Sequence, residues 1–370
     1  MKKLGFFLTI LIIALFLKAQ DNYKDVTSNY KVYKEGETVS VITDYHKTGG
    51  MPNAGVDLQA GSVTGVFGIG GHTAVKVPAF DYGLGSEKFV GIYENTAIFE
   101  KTMSLLFSKN GHNHPYFFIQ VTDPQFGMFE NNNGFEKETY LYEKSVKEIN
   151  RLKPDFVVIT GDFVNDPKDM SQIAEFKRIT VKIDSKIPVY YTPGNHDIGK
   201  IPDYLSINSY IKNYGYDKFA FKHKNSQFIG FNSCIIKANT PDFEQRQYDW
   251  LKKMLAKSKK ARHIIIFCHY QFFVKSFDEP ETYSNIGILN REKYLTLFDA
   301  NKVKVVFSGH LHNNAYAKFG EMELVTTSAV GKPMAKAPSG FRIVKVYSDR
   351  IESVYYGLDE IPESITFDQK

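Results

Sequence analysis

Tyr116-Phe117-Phe118-Ile119-Gln120-Val121-Thr122-Asp123-Pro124-Gln125 is the stretch on which the reading of this chain turns. Tyr116 to Val121 is apolar and strand-like, and a carboxylate and a carboxamide follow it at once. The same construction recurs downstream. Asp155 to Thr160 runs into Gly161-Asp162-Phe163-Val164-Asn165, and Ile187 to Tyr191 is followed by Gly194-Asn195-His196-Asp197. His263 to Cys268 ends directly on His269, and Val303 to Phe307 leads into Gly309-His310-Leu311-His312. Five apolar runs thus each end in a residue able to hold a metal, which is where open α/β sheets place their ligand sites.

Helical segments lie between these strands. Lys137 to Leu152 repeats Tyr140, Leu141, Val146 and Ile149 near a period of 3.6, and Gln172 to Ile183, Phe243 to Ala256 and Asn290 to Ala300 read likewise. Phe228 to Ile236 reads as one more strand. Leu324 to Ser328, Phe341 to Tyr347 and Ile351 to Tyr356 read as hairpin strands finishing the sheet. Alternating strands and helices predict an α/β fold whose sheet is buried between helices.

The donor set matches a particular chemistry. Phosphate esters resist attack because their anionic oxygens repel a nucleophile. Two divalent cations about 3.5–4 Å apart neutralise that charge and turn a shared water into hydroxide at neutral pH. A carboxylate can bridge such a pair, and Asp162 is the expected bridge. Imidazole and carboxamide oxygen complete sites suited to Mn, Fe or Zn. Glycines before Asp162, Asn195 and His310 leave room for sharp turns and close approach.

These motifs, in this order, resemble the calcineurin-like metallophosphoesterase superfamily over about residues 115–358. The resemblance implies a four-layer αββα sandwich. It implies that Asp123, Asp162 and His312 hold one metal, with Gln125 contributing, and that Asp162, Asn195, His269 and His310 hold the other. His196 is similar to the family's non-ligand histidine, which protonates the leaving alkoxide. An imidazole can do this near neutral pH. Asp197 is expected to orient it. The first motif departs from the family's usual Asp-x-His: here it is Asp123-Pro124-Gln125. That form, with Gly194 to Gly199, Phe277-Asp278-Glu279, Val303 to His310 and Tyr356 to Glu360, is similar to the Ser/Thr phosphatase-like subgroup. Gln125 therefore reads as a subgroup feature. The implied substrate is a phosphorylated small molecule or a phosphoprotein, with phosphomonoesters favoured. Two other readings are a phosphodiesterase acting on nucleotides or lipids and an exported, metal-stabilised binding protein. The second leaves His196 without work.

Around the centre, Asn165, Tyr270 and Asn314 are the candidate substrate contacts. Phe277 to Ile286 has no helical period and carries Asp278, Glu279 and Glu281, so it reads as a loop over the site mouth that could select substrates by charge. Upstream, Lys2 and Lys3 followed by the apolar run Leu4 to Leu17 read as a signal peptide over residues 1–20, which predicts an exported, periplasmic or extracellular protein. An uncleaved anchor is the alternative. Without the leader 43 basic residues face 41 acidic ones, so no nucleic-acid face is expected, nor a membrane span. Residues 21–113 alternate in short Gly-punctuated runs and read as a small β-rich domain. Gly65 to Gly71 lacks the Gly-Lys-Ser/Thr ending of a phosphate loop and reads as turn glycines. Residues 114–358 form the expected catalytic domain, and 359–370 a tail. Two cysteines, Cys234 and Cys268, are too few for a disulfide framework; one bridge or two buried thiols are both open.

Overall fold

The computed structural model describes residues 114–334 and 336–367, together with residues 55–59, 62–66, 98 and 101. The chain divides into two compact units, Met1–Lys101 and Thr102–Lys370. In the first, β1 (Gly55–Gln59) and β2 (Ser62–Val66) pair as an antiparallel hairpin with Gly65 opposite Val56. Ile98 and Lys101 are helical, within the stretch 21–113 that reads from the sequence as β-rich. The expected leader and most of the expected β-rich stretch 21–113 lie outside the described residues.

The second unit begins with β3 (Tyr116–Val121), β4 (Val157–Thr160), β5 (Val189–Thr192) and β6 (Phe219–His223). It continues with β7 (Ser226–Gly230), β8 (His263–Phe267), β9 (Val305–Ser308) and β10 (Ala315–Phe319). It ends with β11 (Met322–Thr326), β12 (Gly340–Val346) and β13 (Ile351–Gly357). They form two sheets, ordered β13-β12-β3-β4-β5 and β10-β11-β9-β8-β7-β6. Parallel pairing joins β3 to β4 and β5, and joins β7, β8, β9 and β11. The C-terminal hairpins β10–β11 and β12–β13 close different sheets.

Strand alternation explains why two sheets pack rather than one. Along β3, Tyr116 and Phe118 join Phe156, Phe228, Phe267 and Phe307 in a core shared by both sheets. Phe117, Ile119 and Val121 face the other way, into the core built with the helices. A strand buried on both faces needs a layer on each, and the result is the four-layer αββα sandwich. Phe118 stacks on Phe156 at 4.9 Å between centroids and meets Phe228, Phe267 and Phe307 edge-on. Truncating such a residue to alanine costs about 3–5 kcal/mol.

The helices begin as Glu136–Leu152, Met170–Thr180, Pro241–Lys257 and Ile288–Ala300, close to their expected spans. Strands β6 and β10 were not among the expected elements, and two other features differ. Tyr204–Tyr214 is a further helix, started by Asp203 accepting from Ser206 N at 2.7 Å. The expected strand Phe228 to Ile236 is really the end of β7 followed by a short helix, Ser233–Ala238, capped by Asn232. A continuous apolar run does not distinguish a buried strand from a buried helix. Cys234 and Cys268 are buried free thiols. Among the described residues no helix is long and apolar enough to cross a membrane.

Candidate metal centre

Each expected ligand leaves the C-terminal end of a parallel strand, and the two sheets contribute from opposite sides. Asp123, Asp162 and Asn195 follow β3, β4 and β5, while His269 and the His310–His312 pair follow β8 and β9. Within each sheet neighbouring loops are stitched together, Gly309 N donating to His269 O at 3.0 Å and Asp123 N to Gly161 O at 3.1 Å, and across the seam His310 N donates to Asp123 Oδ2 at 3.1 Å. Asp123, Gln125, Asp162, His310 and His312 all take positive φ, between 37° and 68°. Residues with a Cβ adopt that region rarely and at a cost, and such strain concentrates where surrounding structure enforces a functional geometry. The glycines act mainly through space. A Cβ on Gly194 would stand 2.1 Å from Asp162 Oδ1. Gly161 itself has φ +88° and lies against Gly194 N.

Two groups of ligand atoms result, Asp162–His269–His310 and Asp123–Asp162–His312, all buried and sharing Asp162. His269 Nε2 lies 3.2 Å from Asp162 Oδ2, from Asn195 Oδ1 and from His310 Nδ1. Ligand atoms 2.0–2.1 Å from one tetrahedral ion would be about 3.3–3.4 Å apart, so this group fits a metal. In the other group His312 Nε2 is 3.4 Å from Asp123 Oδ1. Gln125 completes the fit: its Oε1 is buried without a partner, while its Nε2 donates to Asn165 Oδ1 at 3.0 Å. A buried acceptor without a partner is costly, and a cation would satisfy it.

Second-layer contacts fix the imidazoles. His269 Nδ1 faces Thr160 O at 2.8 Å and His312 Nδ1 faces Lys332 O at 2.6 Å, leaving each Nε2 for the centre. Thr122 Oγ1 donates to Asp123 Oδ2 at 2.5 Å. The field is that of a cation site. Burial disfavours a charged His269, but Asp162 and Asp123 outweigh it and hold the imidazole up at about 9. Burial pushes the Asp162 carboxyl up; His269, then His196 and His310, pull it below the usual carboxylate range. Burial, then the charge of His269, presses His310 down to about 3. The carboxylates thus stabilise one positive charge on His269 that a metal would replace.

His196 stands beside the centre and is partly exposed; its backbone N–H donates to Asp162 Oδ1 at 2.8 Å. Its Nδ1 lies 2.8 Å from Asn165 O. That carbonyl, rather than Asp197, orients the ring. Asp197 instead accepts from Phe163 N at 2.7 Å and Gly194 N at 2.8 Å, locking two motif loops together. Burial, then the charge of Asp162, holds the Asp197 carboxyl well above its ordinary value.

The three expected substrate contacts are placed differently. Asn165 reaches the centre, but its amide is engaged by Gln125 and Asn132. Tyr270 is buried and packs its ring 4.1 Å from that of His310, as backing to the ligands. Asn314 Oδ1 accepts from Arg342 Nη2 at 2.9 Å and from Ser328 N, bracing the loop after His312. The loop Phe277 to Ile286 does lie at the site. Its carboxylates are largely consumed, because Glu279 accepts from Val274 N, Lys275 N and Asn285 Nδ2, and Glu281 pairs with Lys237. What it presents is Tyr283, whose hydroxyl is 3.3 Å from Asn195 Nδ2. Neither Tyr283 nor Lys200, whose ammonium is 5.2 Å from the Tyr283 ring, had a motif to mark it in the sequence.

With this geometry established, comparison with known proteins gives the class. Residues 118–314 match the model of the calcineurin-like phosphoesterase family, and the chain belongs to that family. Within it, the serine/threonine-protein phosphatase CPPED1 of Pongo abelii is 35% identical over 269 residues, 67% of this chain and 86% of that protein. The Homo sapiens CPPED1 is 34% identical with the same coverage. The subgroup resemblance drawn from Asp123-Pro124-Gln125 agrees with these relatives. Among solved structures, a dimetal phosphatase from Danio rerio superposes with a TM-score of 0.49 at 15% identity, covering 66% of this chain and 97% of that one.

Proposed function

We propose that this protein hydrolyses phosphate esters, phosphomonoesters above all, at a dinuclear metal centre held by Asp123, Gln125, Asp162, Asn195, His269, His310 and His312. The observation that carries the reading is Asp162, buried at the junction of two ligand groups drawn from two sheets. The unpartnered Gln125 Oε1 supports its place among the ligands. When bound, the metal pair neutralises the phosphate charge and activates a water as the nucleophile; the mixed oxygen and nitrogen donors suit Mn, Fe or Zn. The relatives named as serine/threonine-protein phosphatases support a phosphorylated substrate.

The chain's own residues then handle the leaving group. As water oxygen bonds to phosphorus and the ester P–O bond breaks, the departing oxygen needs a proton. His196 is placed to give it from Nε2, since Nδ1 is committed to Asn165 O. The Asn165 carbonyl holds the ring through Nδ1. The leader-like residues 1–20 support action outside the cytoplasm, where a small phosphorylated molecule fits better than a phosphoprotein.

The test is elemental analysis of purified protein, paired with p-nitrophenyl phosphate hydrolysis in Mn²⁺. Two metal ions per chain and turnover are expected, with His196→Ala keeping both metals and losing roughly 10²–10⁴-fold in kcat. Two bound metals without cleavage of any ester tested would favour a metal-stabilised binding protein instead.

A further inference from the structure

Resting on the hydrolase reading, the geometry points to Tyr283 as a substrate-binding residue whose hydroxyl donates to a terminal phosphoryl oxygen, with Lys200 beside it, so that the site favours monoesters over diesters. Three observations carry this.

The first is that the loop is rigidly held. Arg291, fully buried at the start of the following helix, donates to three carbonyls: Phe277 O, Glu279 O at 2.8 Å and Ile286 O at 2.9 Å. A buried guanidinium satisfied this way ties both ends of the loop to the helix. Lys237 holds its middle, donating to Glu281 Oε1 at 2.7 Å and Thr282 O at 2.6 Å. Asn285 closes it from within through Glu279 Oε1 at 2.6 Å and Thr282 N at 2.7 Å. A side chain on such a loop contacts a ligand without first being ordered, which spares the binding step that entropy.

The second is where Tyr283 points. Its ring centroid is 5.0 Å from that of His310, and its hydroxyl meets the Asn195 amide. The side chain is 53% exposed, so it borders the ligand cluster and solvent together. Tyr270 also touches His310 but is buried. Of the two tyrosines only Tyr283 can meet a substrate.

The third is the direction of the bond. Asn195 Nδ2 can only donate, so the Tyr283 oxygen accepts and its own proton remains to be given. Among the described residues no acceptor takes it. An anionic oxygen arriving at the centre would. Lys200, exposed on the turn after Asn195 to Ile198, adds positive charge on the same side.

Selectivity follows from counting oxygens. A phosphomonoester has three terminal oxygens sharing two negative charges, whereas a diester has two sharing one. A donor outside the metal cluster gains most from the additional charged oxygen, because hydrogen bonds to ionised acceptors are the stronger ones.

The experiment compares wild type with Tyr283→Phe, which keeps the ring and removes the oxygen. Three quantities are read: metal content, kcat/KM for p-nitrophenyl phosphate and for bis(p-nitrophenyl) phosphate, and calorimetric affinity for inorganic phosphate. The variant should retain two metals, lose roughly 10- to 100-fold on the monoester, and bind inorganic phosphate at least about fivefold more weakly. Its monoester-to-diester ratio should fall about tenfold or more. An unchanged ratio with both rates reduced would mean that Tyr283 acts only through Asn195, and unchanged monoester rate and phosphate affinity would remove it from the site; either result overturns the inference. Wild type that binds two metals but cleaves neither ester would sink the hydrolase reading, while the phosphate affinities would still judge Tyr283.

Discussion

Asn165→Ala tests the hydrogen-bond chain behind Gln125. A carboxamide ligates through its oxygen, and rotation by half a turn would offer the NH₂ instead. In this protein that rotation is blocked: Gln125 Nε2 is held by Asn165 Oδ1 at 3.0 Å, and Asn165 Nδ2 by Asn132 Oδ1 at 2.8 Å. Asn132 Oδ1 is in turn held by Gln172 Nε2 at 3.0 Å, whose Oε1 accepts from the backbone of Asn165 and Asp166. Alanine at 165 deletes the first link and leaves the His196 contact, which uses the backbone carbonyl, in place. Losing one such bond and leaving a buried donor unpaired costs about 1–2 kcal/mol, or roughly 5- to 30-fold in affinity. The assay is calorimetric titration of metal-free protein with Mn²⁺, with chelator competition where binding is tight. Affinity should fall at the site of Asp123, Gln125 and His312 and stay close to wild type at the site of Asn195, His269 and His310. Equal weakening of both sites, or of neither, would refute the claim that this chain aims Gln125 at one metal.

Two further outcomes follow from other parts of the fold. Gly194→Ala puts a Cβ 2.1 Å from Asp162 Oδ1 and 2.3 Å from its backbone N, so the shared carboxylate must move. Metal content should drop at both sites and stability by about 1–3 kcal/mol, read by elemental analysis and thermal melting; a variant with full metal content would show that the loops yield cheaply. His263 is buried with Nε2 on Tyr347 O and Nδ1 unpartnered, and burial, helped by Arg262 and Lys304, depresses its pKa. Below the ordinary value near 6.5 the unfolded chain gains a proton that the folded protein resists, so its stabilising contribution is present above that pH and is lost as pH falls. Denaturant titrations across that range should show a flatter decline for His263→Gln than for wild type, and parallel curves would contradict this.

Much of the centre was legible from local sequence because each ligand directly follows an apolar run. A strand can be read from half a dozen residues, and in a parallel sheet its end is where a ligand must stand. Gly161 and Gly194 were legible too, as places needing room. The helix Tyr204–Tyr214 carried a readable start in Asp203-x-x-Ser206 that the apolar pattern alone did not reveal. The split of Phe228 to Ile236 into strand and helix turns on Asn232 as a cap, a weak signal inside a strong apolar run.

The sequence by itself therefore determined the ligand types, their order and the alternation that buries the strands. Only the tertiary structure decided which atoms meet. Gln120 reaches Ser308 across 188 residues, and Asp162 gathers His269 and His312 from the opposite sheet. It also decided that Asp197 serves the backbone while Asn165 O orients His196, and that the loop after His269 offers Tyr283 rather than charge. These are matters of distance between segments remote along the chain, and of φ angles enforced by packing. Neither is encoded in any window of neighbouring residues; both appear once two sheets close on a common aromatic core.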